Sequence, residues 1–262
     1  MIDRPDETAF VDPAGQDAPR HGGSIWTASH VGPGTRYTQQ PNLSAADRKT
    51  VEDFHKLYYG TESQSGLRTY FVSWLGYEMF KGPLDLWIYQ DIISEQKPDL
   101  IIETGTYRGG SALYLATLCD LLGTGRVITI DVDSTLACER PSHPRIEYLT
   151  GSSVDPAIVD YVTASAGKAS NTLVILDADH RRAHVAEELR IYSSLIPVSG
   201  YLIVEDTNIN GHPAYQEFGP GPWEAVHDFL AEQLDFQIDR GCERFLMTMN
   251  PDGYLKRIAR SG

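Results

Sequence analysis

The sequence predicts an α/β fold built on a doubly wound, mostly parallel sheet, and three observations predict it. Nearly continuous apolar runs end at Glu103, Asp131, Asp177 and Glu205-Asp206. Runs of that kind belong to strands covered on both faces. Between them lie stretches with helical spacing of apolar residues. The first run, Ile101-Ile102-Glu103, passes through Thr104-Gly105-Thr106-Tyr107-Arg108-Gly109-Gly110 into a helix beginning at Ser111. Strand, glycine turn and helix in that order form the first crossover of such a sheet, whose ligands sit outside the carboxyl ends of the strands.

Taken in order, residues 1–45 are rich in Asp, Pro, Gly, Ser and Gln without periodicity and read as a flexible or irregular arm, with Trp26 and Tyr37 available to dock or to cover a site. Residues 46–98 read as a helical segment packing on the core. A helix enters at Ser44-Ala45-Ala46-Asp47, a linker holds Gly60, Ser63, Ser65 and Gly66, and an aromatic stretch at 70–76 leads into a helix at 83–93 with Pro83 in its first turn. Trp74 and Trp87 read as core residues. Residues 99–262 form the core domain, with helix 111–122 stopped by Gly123, strand 127–131, an edge strand at 146–149, helix 156–166, strand 172–177, helix 183–196 and strand 201–206. After a Gly/Pro loop at 207–222, a helix runs to about Leu234, and 236–239 with 245–249 read as a terminal strand pair.

The 262-residue chain carries a net charge of −14, which sets it against nucleic acid and anionic membranes. No apolar run approaches a membrane span, and the first residues lack a basic and apolar leader, so the expectation is a cytoplasmic protein without membrane insertion. Its three cysteines are scattered, without metal or redox spacing. The aromatic N-terminal third and acidic surface suggest a homo-oligomer.

The glycine turn matches neither a dinucleotide fingerprint nor a phosphate loop. Glu103 would repel phosphates and attract an amine or a sulfonium. Asp131, closing the next strand, is placed to bond ribose hydroxyls. A nucleoside without phosphates fits, and S-adenosylmethionine is the common one. Asp177, Glu205 and Asp206 end two later strands on the same sheet edge, and three hard oxygen ligands suit Mg²⁺. A hydroxyl on such a cation loses its proton more easily, and the imidazole of His180 can take it. The competing reading makes Asp179 a capping acid and His180 a hydrogen-bonded turn residue.

With these residues in place, the sequence resembles the cephalosporin hydroxylase/rhamnosyl O-methyltransferase group of class I, S-adenosylmethionine-dependent methyltransferases. The resemblance runs from about Trp74 to Lys256, densest at Pro83–Gln90, Glu103–Ser111, Asp177–His180, Glu205-Asp206, Gly219–Pro222 and Asn250–Lys256. It implies a seven-stranded Rossmann-like sheet, with Asp177, Glu205 and Asp206 as Mg²⁺ ligands and His180 as base; Asp179 adds an acid that the motif does not demand and is a second candidate for the base. It places Glu103, Gly105, Thr106, Gly109, Ser111, Asp131, Asp133 and Ser152 at the S-adenosylmethionine site. The expected reaction is Mg²⁺-dependent methylation of a sugar hydroxyl, on a deoxysugar of a natural product or glycolipid or a hexose of an oligosaccharide. The alternatives are a non-sugar hydroxyl, such as a hydroxylated β-lactam or a phenol, and a non-catalytic partner of an oxygenase.

Overall fold

The computed structural model describes residues 42–61 and 68–259. The N-terminal arm with Trp26 and Tyr37, and the linker residues Ser63, Ser65 and Gly66, lie outside them. Helix α1 (Ala45–Gly60) starts at Ser44, whose hydroxyl accepts from the Asp47 backbone while the Asp47 carboxylate reaches back to Ser44 N. That reciprocal cap satisfies two donors that the helix cannot. Strands β1 (Phe71–Trp74) and β2 (Tyr77–Phe80) pair antiparallel, Trp74 opposite Tyr77. Their two-residue connection, Leu75-Gly76, has φ of 50° and 90°, as hairpin turns of matching twist require. The aromatic stretch before α2 (Pro83–Gln96) is therefore a hairpin, which apolar spacing did not reveal. Trp74 packs edge-to-face on Tyr114 and donates to Thr117 Oγ1. Trp87 departs from its expected core position: it is 60% exposed, because α2 buries its Ile88/Ile92 face instead.

The core alternates β3 (Leu100–Thr104), α3 (Gly110–Leu122), β4 (Arg126–Asp131), β5 (Ile146–Thr150), α4 (Pro156–Ala166), β6 (Thr172–Leu176), α5 (Arg182–Tyr192), β7 (Tyr201–Val204), α6 (Pro222–Glu232), β8 (Phe236–Ile238) and β9 (Tyr254–Arg257). The seven-stranded sheet has the order β5-β4-β3-β6-β7-β9-β8, parallel from β5 to β7, with β9 antiparallel to both its neighbours. Every residue of β3, β6 and β7 is buried, which is why their sequences do not alternate. The pleat sends Ile102, Ile128, Val174 and Leu202 to a layer shared with Val162, Leu189 and Val226 of α4, α5 and α6. It sends Ile101, Val127, Leu173 and Ile203 to the opposite layer, against Ile88 and Ile92 of α2 and Leu115 of α3.

The expected terminal strand 245–249 is not a strand. Its backbone and side chains turn instead to the buried Asp85, which accepts from Met249 N at 2.9 Å and from the Thr248 hydroxyl. The strand that completes the sheet is β9, paired with β7 and β8. Chain order reverses between β3 and β6, so a crevice opens at the carboxyl ends of these two strands.

Candidate active site

Gly105 and Gly109 shape the turn after β3. Gly105 has φ +84°, and a Cβ there would stand 1.9 Å from the carbonyl oxygen of Asp177, so only hydrogen lets β3 and β6 approach so closely at the crevice. Gly109 has φ +76°, a left-handed entry to α3. The turn is tied down by Asp131, whose Oδ2 accepts from Thr106 N at 3.0 Å and Tyr107 N at 2.8 Å. Its other oxygen accepts from Asp133 N. Arg140, its side chain 3% exposed, lies 3.4 Å from Asp131 and donates to the carbonyl oxygens of Tyr107 and Asp133.

Glu103 is fully buried beneath this turn. Its Oε2 accepts from the Thr129 hydroxyl at 2.7 Å, and its Oε1 has no hydrogen-bond partner. Burial raises the Glu103 carboxyl above its ordinary value, opposed by the nearby Lys81 ammonium.

The acids ending β6 and β7 converge. One donor atom each of Asp177, His180 and Asp206 falls within 4.8 Å of the others, with His180 Nε2 3.2 Å from Asp206 Oδ2. Asp206 sits at φ 53°, an unusual region for a side-chain-bearing residue. Its backbone N–H is held by Asn250 Oδ1 at 3.1 Å. Glu205 lies outside that group but beside it: it lines the same cavity, and its Oε1 accepts from Tyr89 at 2.7 Å and from Lys81. Lys81 also donates to Asp177 Oδ2 at 2.5 Å. Burial pushes the Asp177 carboxyl up to about 7, with Lys81 opposing and Asp206 adding to the rise. Burial and the charge of Asp177 push Glu205 up as well, against Lys81 and Tyr89. Burial alone would lower Lys81, but the two carboxylates overcome it and hold its pKa above the ordinary value.

A cavity of about 790 Å³ spans the crevice. It is lined by Gly105, Thr106, Ser111, Asp131, Asp133 and Ser152, by the aromatic residues Tyr59, Tyr70, Phe71 and Phe80, and by Asp177, His180, Glu205 and Asp206; Phe80 packs on Tyr107 of the turn after β3, ring centroids 4.5 Å apart. Of the sequence-derived site residues, Glu103 and Gly109 are not among those lining it: the first underlies the turn and the second shapes it. Asp179 lines the cavity, but its carboxylate is held by the Arg181 guanidinium and backbone, which depress it to about 2.

Sequence reasoning missed Lys81, Arg140 and Tyr59 of α1, and marked Asn250 and the aromatic stretch 70–80 only as parts of longer segments, without a role for the single residues. Phe71–Trp74 and Tyr77–Phe80 flanking a Leu-Gly pair carry a hairpin signal. Lys81 and Arg140 carry none, since their partners are distant in sequence.

A family model described as Rhamnosyl O-methyltransferase/CmcI matches residues 67–258. A rhamnosyl O-methyltransferase of Mycobacterium tuberculosis is 36% identical over 212 residues, covering 79% of this chain and 84% of the relative. One from Mycobacterium leprae is 32% identical over 211 residues, covering 79% and 90%. Among solved structures, apo CmcI superposes with a TM-score of 0.58 at 22% identity, covering 85% of this chain and 88% of CmcI. CmcI with Mg and SAM gives 0.56 at 22% identity and the same coverage. These two share the sheet and its flanking helices, and with the family model spanning most of its length, this chain belongs to the rhamnosyl O-methyltransferase/CmcI family.

Proposed function

We propose that this protein transfers the methyl group of S-adenosylmethionine to a hydroxyl of a sugar, with a divalent cation such as Mg²⁺ at the acidic edge of the sheet. The observation that carries the reading is the convergence of Asp177, His180 and Asp206 in a cavity lined both by polar groups that suit a nucleoside and by aromatic residues that suit a sugar ring. Support for a sugar acceptor comes from the rhamnosyl O-methyltransferases that this chain resembles at 36% and 32% identity.

The residues present fit both groups. Glu103, buried beneath the turn beside Ser111 and Thr129, keeps carboxylate acceptor capacity that a cationic or N–H donor would use, as the amino acid end of S-adenosylmethionine would provide. Asp131 and Asp133 place carboxylates where ribose hydroxyls would lie, and Ser111 and Ser152 add hydroxyls. Asp177, Glu205 and Asp206 would hold the cation, an all-oxygen set that suits a hard ion. When bound, the cation orients the acceptor hydroxyl and lowers its pKa.

His180 then has one task, to accept the hydroxyl proton at a ring nitrogen as the oxygen attacks the methyl carbon and the sulfur–carbon bond breaks. The by-product is S-adenosylhomocysteine. Asp179 is a poorer acceptor, because Arg181 holds it ionised down to about pH 2. Tyr59 and Tyr70, stacked with centroids 4.9 Å apart, offer a flat apolar wall against which the C–H face of a sugar can lie. The protein should be incubated with S-adenosylmethionine, Mg²⁺ and separate panels of glycosides, phenols and hydroxylated β-lactams, with products read by mass spectrometry. A gain of one methylene mass on a glycoside supports the reading; methylation confined to a phenol or β-lactam overturns it.

A further inference from the structure

Lys81 follows β2 directly and is 4% exposed, yet it carries a charge into the floor of the site. Its ammonium donates to Asp177 and to Glu205, two of the three acids assigned above to the cation. A buried charge persists only where it is paired. Three carboxylates crowded at one sheet edge need a cation for the same reason. Tyr89 holds Glu205 from the far side at 2.7 Å, and Asn250 Nδ2 approaches the Tyr89 hydroxyl at 3.3 Å. Glu205 is thus kept in orientation by a buried network that does not depend on Lys81 alone.

We propose that Lys81 is a built-in counter-ion that stands in for the divalent cation: it keeps Asp177 and Glu205 in place in the metal-free protein and competes with the metal for their oxygens. The proposal rests on the metal reading above. An ammonium is compact, singly charged and mounted on a flexible stem, so it can share carboxylates with an arriving ion or withdraw from them. Metal binding is then an exchange of one cation for another. The wild-type site keeps its shape without metal, and its affinity is weaker than three carboxylates alone would give. Lys81 is a positioning residue on this account.

The test is a calorimetric titration of Mg²⁺ into the wild-type protein and Lys81→Met, alongside thermal melts of both in EDTA and in Mg²⁺. Removing the competing charge should tighten Mg²⁺ binding on the order of tenfold or more, as the contacts of a charged group imply. The variant should melt below the wild type in EDTA and recover in Mg²⁺, whereas the wild type should gain less from Mg²⁺ than the variant does. Unchanged or weaker Mg²⁺ affinity in the folded variant, with binding to the wild type intact, overturns this proposal alone. Failure of both proteins to bind Mg²⁺ overturns the metal reading and the proposal with it. Should Lys81→Met not fold, wild-type protein labelled with ¹⁵N-lysine answers the same question. A protected ammonium resonance that shifts or disappears at saturating Mg²⁺ supports the exchange, and one that stays in place overturns it.

Discussion

Asp131 grips Tyr107: the carboxylate ending β4 accepts the Tyr107 backbone N–H at 2.8 Å, and with the same oxygen the Thr106 N–H at 3.0 Å. One side chain thereby fixes the turn after β3 to the neighbouring strand. Because Gly105, Thr106 and Tyr107 of that turn line the cavity, this contact helps set the cavity's shape where the cofactor is proposed to bind.

Replacing Asp131 with Ala should therefore weaken S-adenosylhomocysteine binding about ten- to hundredfold. The range follows from hydrogen bonds to a charged group, about 1.5–3 kcal/mol. Asp131→Asn keeps one acceptor oxygen and should lose less. Calorimetric titration measures both, and a dissociation constant within twofold of wild type in the Ala variant would show that the turn holds without the carboxylate.

The acidic edge predicts a different separation. Asp177→Ala and Asp206→Asn each remove an oxygen from the cation set while leaving the turn after β3 untouched. Turnover should be lost in both, and in wild type treated with EDTA, with S-adenosylhomocysteine affinity unchanged. Full turnover in chelator would end the metal assignment.

Among the aromatic residues that line the cavity, Tyr59→Ala removes one ring of the stacked Tyr59–Tyr70 pair. Aromatic contacts worth about 0.5–1.5 kcal/mol correspond to a two- to tenfold rise in acceptor KM. The KM for S-adenosylmethionine should not move. A variant raising both constants equally would place Tyr59 in general structure and not at the acceptor.

What was legible in the sequence follows from burial and locality. The strands β3, β6 and β7 are covered on both faces, so their runs are uninterrupted, and the acids closing them mark the carboxyl edge by chemistry alone. Asp177, Asp206 and His180 could be brought together on paper because topology, and no fine packing, places them. The β9 strand was misplaced because Met247 and Met249 look like strand residues, while their neighbours Thr248 and Asn250 serve a buried polar network around Asp85 and Tyr89. Lys81 meets Asp177 across 96 positions of sequence, and Arg140 meets Tyr107 across 33. Charged residues so far from their partners look like any solvated surface residue until the chain is folded.

His55 predicts a pH dependence of stability. It is 4% exposed on α1, with Nε2 2.9 Å from Asn208 Nδ2, and burial lowers its pKa to about 4. Unfolded, it titrates near 6.5. Above that value neither state binds the proton and His55 costs nothing; as pH falls from about 6.5 to 4 the unfolded chain protonates first, and stability is progressively lost. The full effect is about 3 kcal/mol by linkage. Denaturant unfolding at pH 7 and pH 5 should show a steeper loss in wild type than in His55→Gln, and parallel curves would place the imidazole proton elsewhere.

The role of His180 has the sharpest kinetic signature. It lines the cavity and its Nε2 lies 3.2 Å from Asp206 Oδ2, so it is close enough to the cation set to serve the same acceptor oxygen. His180→Ala removes the proton acceptor and leaves Asp177, Glu205 and Asp206 in place. General-base help is worth about 10²–10⁴-fold in rate, so kcat at saturating Mg²⁺ and S-adenosylmethionine should fall by that much while cofactor binding stays within twofold. Asp179→Ala is the matched control. Because Arg181 holds that carboxylate ionised and occupied, its loss should leave most of kcat intact. If the two variants exchanged behaviour, with Asp179→Ala nearly inactive and His180→Ala near normal, the base would be Asp179 and the imidazole would serve only to orient Asp206.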